Sequence, residues 1–430
     1  MIEGPRDHPL RGALHAEVHS RPFATLQAPE RVSHLALLSG EGAAQRERRH
    51  VIDLCQSRGV AGPPENTNHF IADLGSFRLK WERHTEFSTY TFFLNGPFSD
   101  GPFAGRALDL VPQDWIAGLP GDVLVGVHLD LLTKDTPEPD LAALQALFGH
   151  DSIIGSQVSG GAATVWMDFR VQEDGFGRIL LRDNFLRPRQ AGRLVQRLLE
   201  IETYRMTALL AFPAAKRHSA GLAAIGDRLT GITGRLSEIE GMGAERKLLD
   251  ELMVLSSEIE DVAAATNYRF SAARAYYALV LRRVEELREQ RIEGLQTIGE
   301  FIDRRLAPAM RTCQAIEDRQ AMLSRKLARA TTLLRTRVDV ELEEQNRSLL
   351  ESMNRRARVQ LRLQQTVEGL SVAAVSYYIV GLIAYLAKGV GAERFGVKDS
   401  VLTAAAVPAV VLIIWLLVRR IRRSHSDGGH

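Results

Sequence analysis

The sequence predicts an α/β N-terminal domain followed by a long α-helical stalk and a C-terminal two-helix transmembrane hairpin. Three observations predict it. Up to about Arg187, Gly and Pro punctuate short β-branched and aromatic runs, as at Gly62-Pro63-Pro64, Asn95-Gly96-Pro97 and Leu119-Pro120-Gly121. Beyond that point Ala, Leu, Arg and Glu dominate, and Pro213 and Pro308 are the only prolines between Pro188 and the last apolar run. Two uncharged apolar runs, Leu370 to Ala387 and Val401 to Val418, close the chain. Each has about the length a helix needs to cross a bilayer core of roughly 30 Å.

The elements follow in order. Arg31 to Leu38 reads as a strand, and Val51 to Arg58 as a helix after the charged stretch Gln45 to His50. Phe77 to Phe93 alternates as a long strand or a hairpin. Val123 to Leu132 and Ala163 to Val171 read as further strands, and Asp140 to Phe148 as a helix. Strands alternating with helices imply a sheet with helices packed on it. The stalk reads as helices at about Gln190 to Phe212, Ala214 to Glu240, Ala244 to Glu293 and Ala309 to Ala387, with Gly241-Met242-Gly243 as the clearest break. Pro308 then falls at a helix start, where proline is tolerated. The last helix would run about 120 Å. Its stripe of Ile316, Leu323, Leu327, Ala330, Leu334, Val338, Leu342, Leu349 and Met353 has near-heptad spacing. It fits either an intrachain helix pair or self-association as a coiled coil.

The domain layout is therefore 1–187 for the α/β domain, 188–366 for the stalk and 367–387 for the first span. An external loop at 388–400, a second span at 401–418 and a basic tail at 419–430 complete it. Arg355, Arg356, Arg358 and Arg362 precede the first span, and Arg419, Arg420, Arg422 and Arg423 follow the second. An arginine excess marks cytoplasmic flanks, so both termini are expected in the cytoplasm. These arginines are also candidate contacts for anionic lipid head groups. Met1 to Leu10 has no apolar core of the kind a signal peptide carries, which keeps the large body on the side of synthesis. The formal charge of +2 over 430 residues gives no basis for a nucleic-acid partner. Cys55 and Cys313, the only cysteines, offer neither a disulfide framework nor a cysteine zinc site.

Several strings resemble a bacterial family of uncharacterised membrane-anchored proteins, a domain of unknown function. They are His19-Ser20-Arg21-Pro22-Phe23, Arg31 to Leu35, Lys80 to Phe87, Glu202 to Met206 and Gln364 to Tyr385. The resemblance spans nearly the whole chain and implies an inner-membrane location, without an established activity. The layout is also similar to that of CorA-type magnesium channels, with an N-terminal α/β domain, long stalk helices, two spans and a basic tail. Where CorA proteins carry Gly-Met-Asn after the first span, this chain reads Tyr385-Leu386-Ala387-Lys388-Gly389-Val390. That likeness therefore implies architecture and a homo-oligomer in the lipid bilayer, not magnesium selectivity.

Two constellations carry chemistry. On the first span Ser371, Ala374, Tyr378, Gly381, Tyr385 and Lys388 recur at spacings of three and four as one small and polar stripe. It reads as a pore lining or as packing between helices. If residues 77–92 form a strand, Lys80, Glu82, His84 and Glu86 share a face. Glu82, His84 and Glu86 are then candidate ligands of a divalent cation, and the bland alternative is a solvated face of paired charges. No cofactor beyond such a cation is called for. His15 and His19, four apart, fit a helix face but not the metalloprotease pattern. A Glu–Arg pair among Glu200, Glu202 and Arg205 would fix a helix against the sheet. Phosphate-loop, dinucleotide and nucleophile-elbow signatures are missing, so no enzymatic activity is expected. The leading expectation is an inner-membrane protein of CorA-like architecture that forms a homo-oligomeric ion channel or transporter. The alternative is a membrane-anchored binding or scaffold protein whose α/β domain is the working part.

Overall fold

The computed structural model describes residues 7–18, 22–40, 42–65, 67–97, 101–236, 241–390 and 399–426. They divide into two compact units, one of Met1–Ile239 with Leu248–Thr331 and one of Glu240–Lys247 with Thr332–His430. The first unit holds a nine-stranded mixed sheet in the order β2-β3-β4-β1-β5-β8-β7-β6-β9. Its strands are β1 (Glu30–Leu38), β2 (His69–Asp73), β3 (Arg78–Arg83), β4 (Ser88–Asn95), β5 (Asp122–Leu132), β6 (Ile154–Val158), β7 (Ala163–Met167), β8 (Gly177–Asp183) and β9 (Gln290–Arg291). Of these pairings, β5 with β8 is parallel and the others are antiparallel.

One face of the sheet is covered by α2 (Ala44–Ser57), α3 (Gln113–Ala117) and α4 (Leu141–Phe148), the short α1 (Arg11–Val18) preceding β1. Leu35, Leu37, Leu79, Trp81, Tyr90 and Phe92 pack there against Val51, Leu54 and Trp115. Side chains alternate across a strand, so the residues between them face the opposite way. These are His34 on β1, Lys80 and Glu82 on β3, and Thr89 and Thr91 on β4. The register lines up Lys80, Thr91 and His34 on three neighbouring strands. This second face is covered by α5 (Pro188–Leu209).

The approach of α5 to the preceding chain depends on one glycine. A Cβ at Gly192 would lie 1.6 Å from the Ala24 carbonyl oxygen. The extended segment around Ala24 therefore crosses α5 in direct backbone contact, fixed by a 3.2 Å bond from the Leu26 N–H to the Pro188 carbonyl.

Three more helices complete the first unit: α6 (Ala211–Arg235), the part of α7 (Met242–Leu287) from Leu248, and α8 (Ile298–Val390) up to Thr331. Arg228 with Glu258 at 2.7 Å and Arg235 with Glu251 at 2.6 Å tie α6 to α7. Arg274 with Glu317 ties α7 to α8. Ile316, Leu323, Leu327, Ala330 and Leu334 are buried, whereas Leu342, Leu349 and Met353 further along the same stripe are exposed. The first half of the near-heptad pattern is thus consumed by packing within the chain.

Several expected boundaries are corrected. Of the two readings of segment 77–93, the hairpin holds: it forms β3 and β4, with the Arg83–Ser88 pair closing the ladder at a tight turn. The strand expected at Ala163 to Val171 stops at Met167, before Phe169 with its positive φ of 56°. The helix expected to reach Glu293 ends at Leu287, and Gln290–Arg291 joins the sheet edge as β9. The last stalk helix begins at Ile298, not Ala309, which leaves Pro308 inside it. A capping box starts it there: the Glu300 N–H bonds Thr297 Oγ1 at 3.2 Å, and the Thr297 N–H bonds the Glu300 carboxylate at 3.1 Å. The Glu289 carboxylate accepts from the Ile298 and Gly299 N–H groups, each at 2.8 Å. Buried Leu306, Ala309 and Met310 hold the helix together past the proline.

In the second unit, the remainder of α8 carries the first apolar run, and α9 (Asp399–Ser426) carries the second. Among the described residues, α8 is the one helix with a stretch long and apolar enough to cross a membrane. The connector 391–398 lies outside the described residues, and the expected two-helix transmembrane hairpin is not shown. Two charge-flanked runs are a statement about composition; a hairpin is a statement about how two helices meet, and composition does not determine that.

Candidate functional site

The second face of the sheet is apolar along β5 but polar along β3 and β4, and α5 closes over it without filling it. A cavity of about 280 Å³ remains. Its walls are β1, β3, β4 and the segment around Leu26 on one side, and α5 with Arg283 of α7 on the other. Leu26, Phe93 and Val195 contribute apolar lining, and Lys80, Glu82, Glu200 and Arg283 contribute charged groups beside the polar His84 and Tyr204.

The charged groups make one continuous relay. Lys80 is only 6% exposed and Glu82 8%, and they pair at 3.1 Å. Lys80 also donates to Gln196 Oε1 at 3.3 Å, and Gln196 Nε2 donates to Glu200 at 2.7 Å. Glu200 pairs with Arg283, which bonds Glu286 at 3.0 Å, and Glu286 accepts from Arg197 at 3.0 Å. Burial opposes the charge of Arg283, but Glu200 and Glu286 more than offset it and raise its pKa. Burial, with the negative charge of Glu200, also raises the Tyr204 hydroxyl.

His34 also lines the cavity and is buried. Its Nδ1 is 2.8 Å from Thr91 Oγ1 and its Nε2 is 3.2 Å from Thr203 Oγ1. The Thr203 hydroxyl already donates to the Leu199 carbonyl at 2.9 Å. Thr203 therefore accepts from His34, which assigns the proton to Nε2 and leaves Nδ1 to accept from Thr91. Burial, reinforced by the positive charge of Lys80, lowers the imidazole from 6.5 to about 3, so it stays neutral.

A second buried cluster lies on the other face. Ser33 Oγ accepts from the Leu108 N–H at 3.2 Å and is hydrogen-bonded to His128 Nδ1 at 2.9 Å. The His128 ring stacks on Phe176 with centroids 4.2 Å apart. Burial lowers His128 to about 4 and raises the neighbouring Asp130 carboxyl to about 7. Asp130 accepts from the Phe103 N–H at 2.6 Å, and Phe103 has a positive φ of 62°. Ser33, His128 and Asp130 are all buried.

The sequence-predicted residues scatter. Glu82 and His84 line the cavity, but Glu86 lies in the β3–β4 turn and pairs with Arg269 at 2.7 Å. Among the described residues no group of three His, Cys, Asp or Glu side chains is placed to hold a metal ion. The strand premise that put Glu86 beside Glu82 fails because the chain turns at His84. His15 lies on α1, and its expected partner His19 lies outside the described residues. Of the three residues expected to pair on α5, Glu202 holds Arg205 at 2.5 Å, while Glu200 turns to the cavity. Ser371, Ala374, Tyr378, Gly381 and Tyr385 lie on α8, with Tyr378 75% and Tyr385 81% exposed. Leu382 on another side of that helix is 65% exposed, so exposure does not single out the stripe. The side chain of Lys388 lies outside the described residues. Arg355, Arg356, Arg358 and Arg362 are exposed on α8. On α9, Arg419 lies 4.9 Å over the Trp415 ring and Arg420 is exposed, while the side chains of Arg422 and Arg423 lie outside the described residues.

Sequence reasoning missed His34, Gln196, Thr203 and Arg283. The spacing of Gln196, Glu200 and Thr203, four and then three, puts polar groups on one face of α5 beside Val195 and Leu199, and that signal was legible. Nothing local marks Arg283.

Residues 6–425 match a family model described as "Protein of unknown function (DUF3422)". No curated protein and no solved structure matches the chain.

Proposed function

The chain belongs to the DUF3422 family; from the cavity under α5 and the two apolar runs at 370–387 and 401–418 we propose a membrane-anchored binding protein whose α/β domain binds a small polar solute. The cavity carries this reading. It is near the lower end of the ~300–1,000 Å³ range of small-molecule sites and combines an apolar part with a few converging charged groups. Binding fits the lining better than catalysis does. Both nitrogens of His34 are hydrogen-bonded, and Glu82 and Glu200 are held in ion pairs. The arginine-flanked apolar runs support the anchor, an inner-membrane location and cytoplasmic termini. Thermal-shift screening of the full chain in mild detergent against small polar metabolites tests the reading. At least one class should raise the melting temperature, and Val195→Trp, which fills the cavity, should abolish the response. An equal response in Val195→Trp, or no stabilising compound, would sink it.

A second reading, a homo-oligomeric channel of CorA-like architecture, is supported by the large exposed apolar and tyrosine surface of α8 between Leu349 and Leu386. A helix so exposed calls for lipid or other copies of itself. Tyr378→Cys and Gly381→Cys should then react with small water-soluble thiol reagents, and Leu382→Cys and Ile383→Cys much less. The native Cys55 and Cys313 are buried and leave a low background. Uniform inertness across the four positions rejects the pore.

A further inference from the structure

Resting on the solute-binding reading, we propose that the cavity under α5 is built for a zwitterion, an α-amino-acid-like molecule that carries an ammonium and a carboxylate on a short apolar tail. The argument begins from what the charges are doing there. A buried ion pair loses solvation that its own attraction repays poorly, and an apolar pair of similar size is often as stable. Lys80 with Glu82 and Glu200 with Arg283 nevertheless border the same void. Stability alone does not account for two such pairs beside unfilled space.

Their signs narrow the ligand. Two cations and two anions border the cavity, and both nitrogens of buried His34 are taken by the hydroxyls of Thr91 and Thr203. A singly charged ligand would bring an unbalanced charge into a balanced, largely desolvated site, which is costly. A ligand with both charges keeps the balance. Its carboxylate can take hydrogen bonds from the Lys80 ammonium and the Arg283 guanidinium. The ammonium of Lys80 has three donors, of which two go to Glu82 and Gln196. The ligand's ammonium meets Glu82 and Glu200. Gln196 lies between the two pairs with its amide oxygen on Lys80 and its amide nitrogen on Glu200, so the pairs are separated by one neutral spacer. Leu26, Phe93 and Val195 then receive the tail. A sugar-like ligand would leave that apolar end uncovered and the four charges without a use.

Calorimetric titration of the full chain in detergent with four matched probes tests this. L-leucine carries both charges, isopentylamine lacks the carboxylate, 4-methylpentanoate lacks the ammonium, and isopentyl alcohol lacks both. Leucine should bind saturably, and each of the others at least tenfold more weakly. Lys80→Met should weaken leucine at least tenfold and make isopentylamine the preferred probe, because Glu82 then lacks its counter-charge. Glu82→Gln should shift preference to 4-methylpentanoate, which keeps the test open if the lysine variant fails to fold. A reversal of preference is something a merely structural pair would not produce. If the alcohol or a singly charged probe binds as well as leucine, or if only uncharged compounds stabilise the protein, the zwitterion is rejected and solute binding stands. If neither these probes nor the metabolite screen yields a ligand, both readings fall.

Discussion

Gly192→Ala is expected to destabilise the α/β domain by about 3 kcal/mol, the upper end of the usual cost of overpacking. The added methyl would sit 1.6 Å from the Ala24 carbonyl oxygen, and that neighbour is backbone, not the mobile end of a side chain. Either α5 lifts off the sheet or the segment through Ala24 and Leu26 gives up its bond to Pro188. Both residues line the cavity, so solute binding should fall together with the melting temperature. Gly221→Ala, at a helical site with open space around it, is the control and should be neutral or slightly stabilising. Equal melting temperatures for the parent and Gly192→Ala would show that α5 does not approach the chain this closely.

The second large effect concerns Asp130 and pH. Burial raises its carboxyl to about 7, opposed in part by the Phe103 N–H and the positive charges of Arg31 and Arg178. An unfolded aspartate titrates near ~3.9. Between those values the folded chain holds a proton that the unfolded chain has released. The contribution is therefore full below about pH 4 and is lost as pH rises through about 7. About three units correspond to about 4 kcal/mol. His34 and His128 slope the other way, because each is lowered on folding and gains stability as pH rises toward 6.5. The parent curve mixes these opposing terms, so the test is the difference between parent and Asp130→Asn. The variant keeps an oxygen for the Phe103 N–H, and its advantage should grow from pH 5 to about pH 7 and level off above that. Melting curves that stay parallel across that range would mean that Asp130 is ionised in the folded protein.

What the sequence determined by itself is local. The strand readings of Arg31 to Leu38 and Val123 to Leu132 matched β1 and β5, central strands whose residues are buried on both faces of the sheet. The proline-poor helical texture, with apolar residues recurring at a period near 3.6, matched α5 to α8. Lys80, Glu82, His84 and Glu86 drew attention because alternate positions of one strand share a face. The capping box Thr297 to Glu300 was equally legible and marks the true start of α8. Only the tertiary structure decided the rest. The turn at His84 sent Glu86 to Arg269, and the alternation of 77–93 allowed a hairpin without placing its turn. His34, Gln196 and Arg283 lie on three elements separated by 162 and 87 residues, and strand order and helix packing alone bring them to one cavity. The near-heptad stripe was visible throughout, yet its buried half and its exposed half share one spacing. Periodicity records which side of a helix is apolar; what covers that side depends on the rest of the fold.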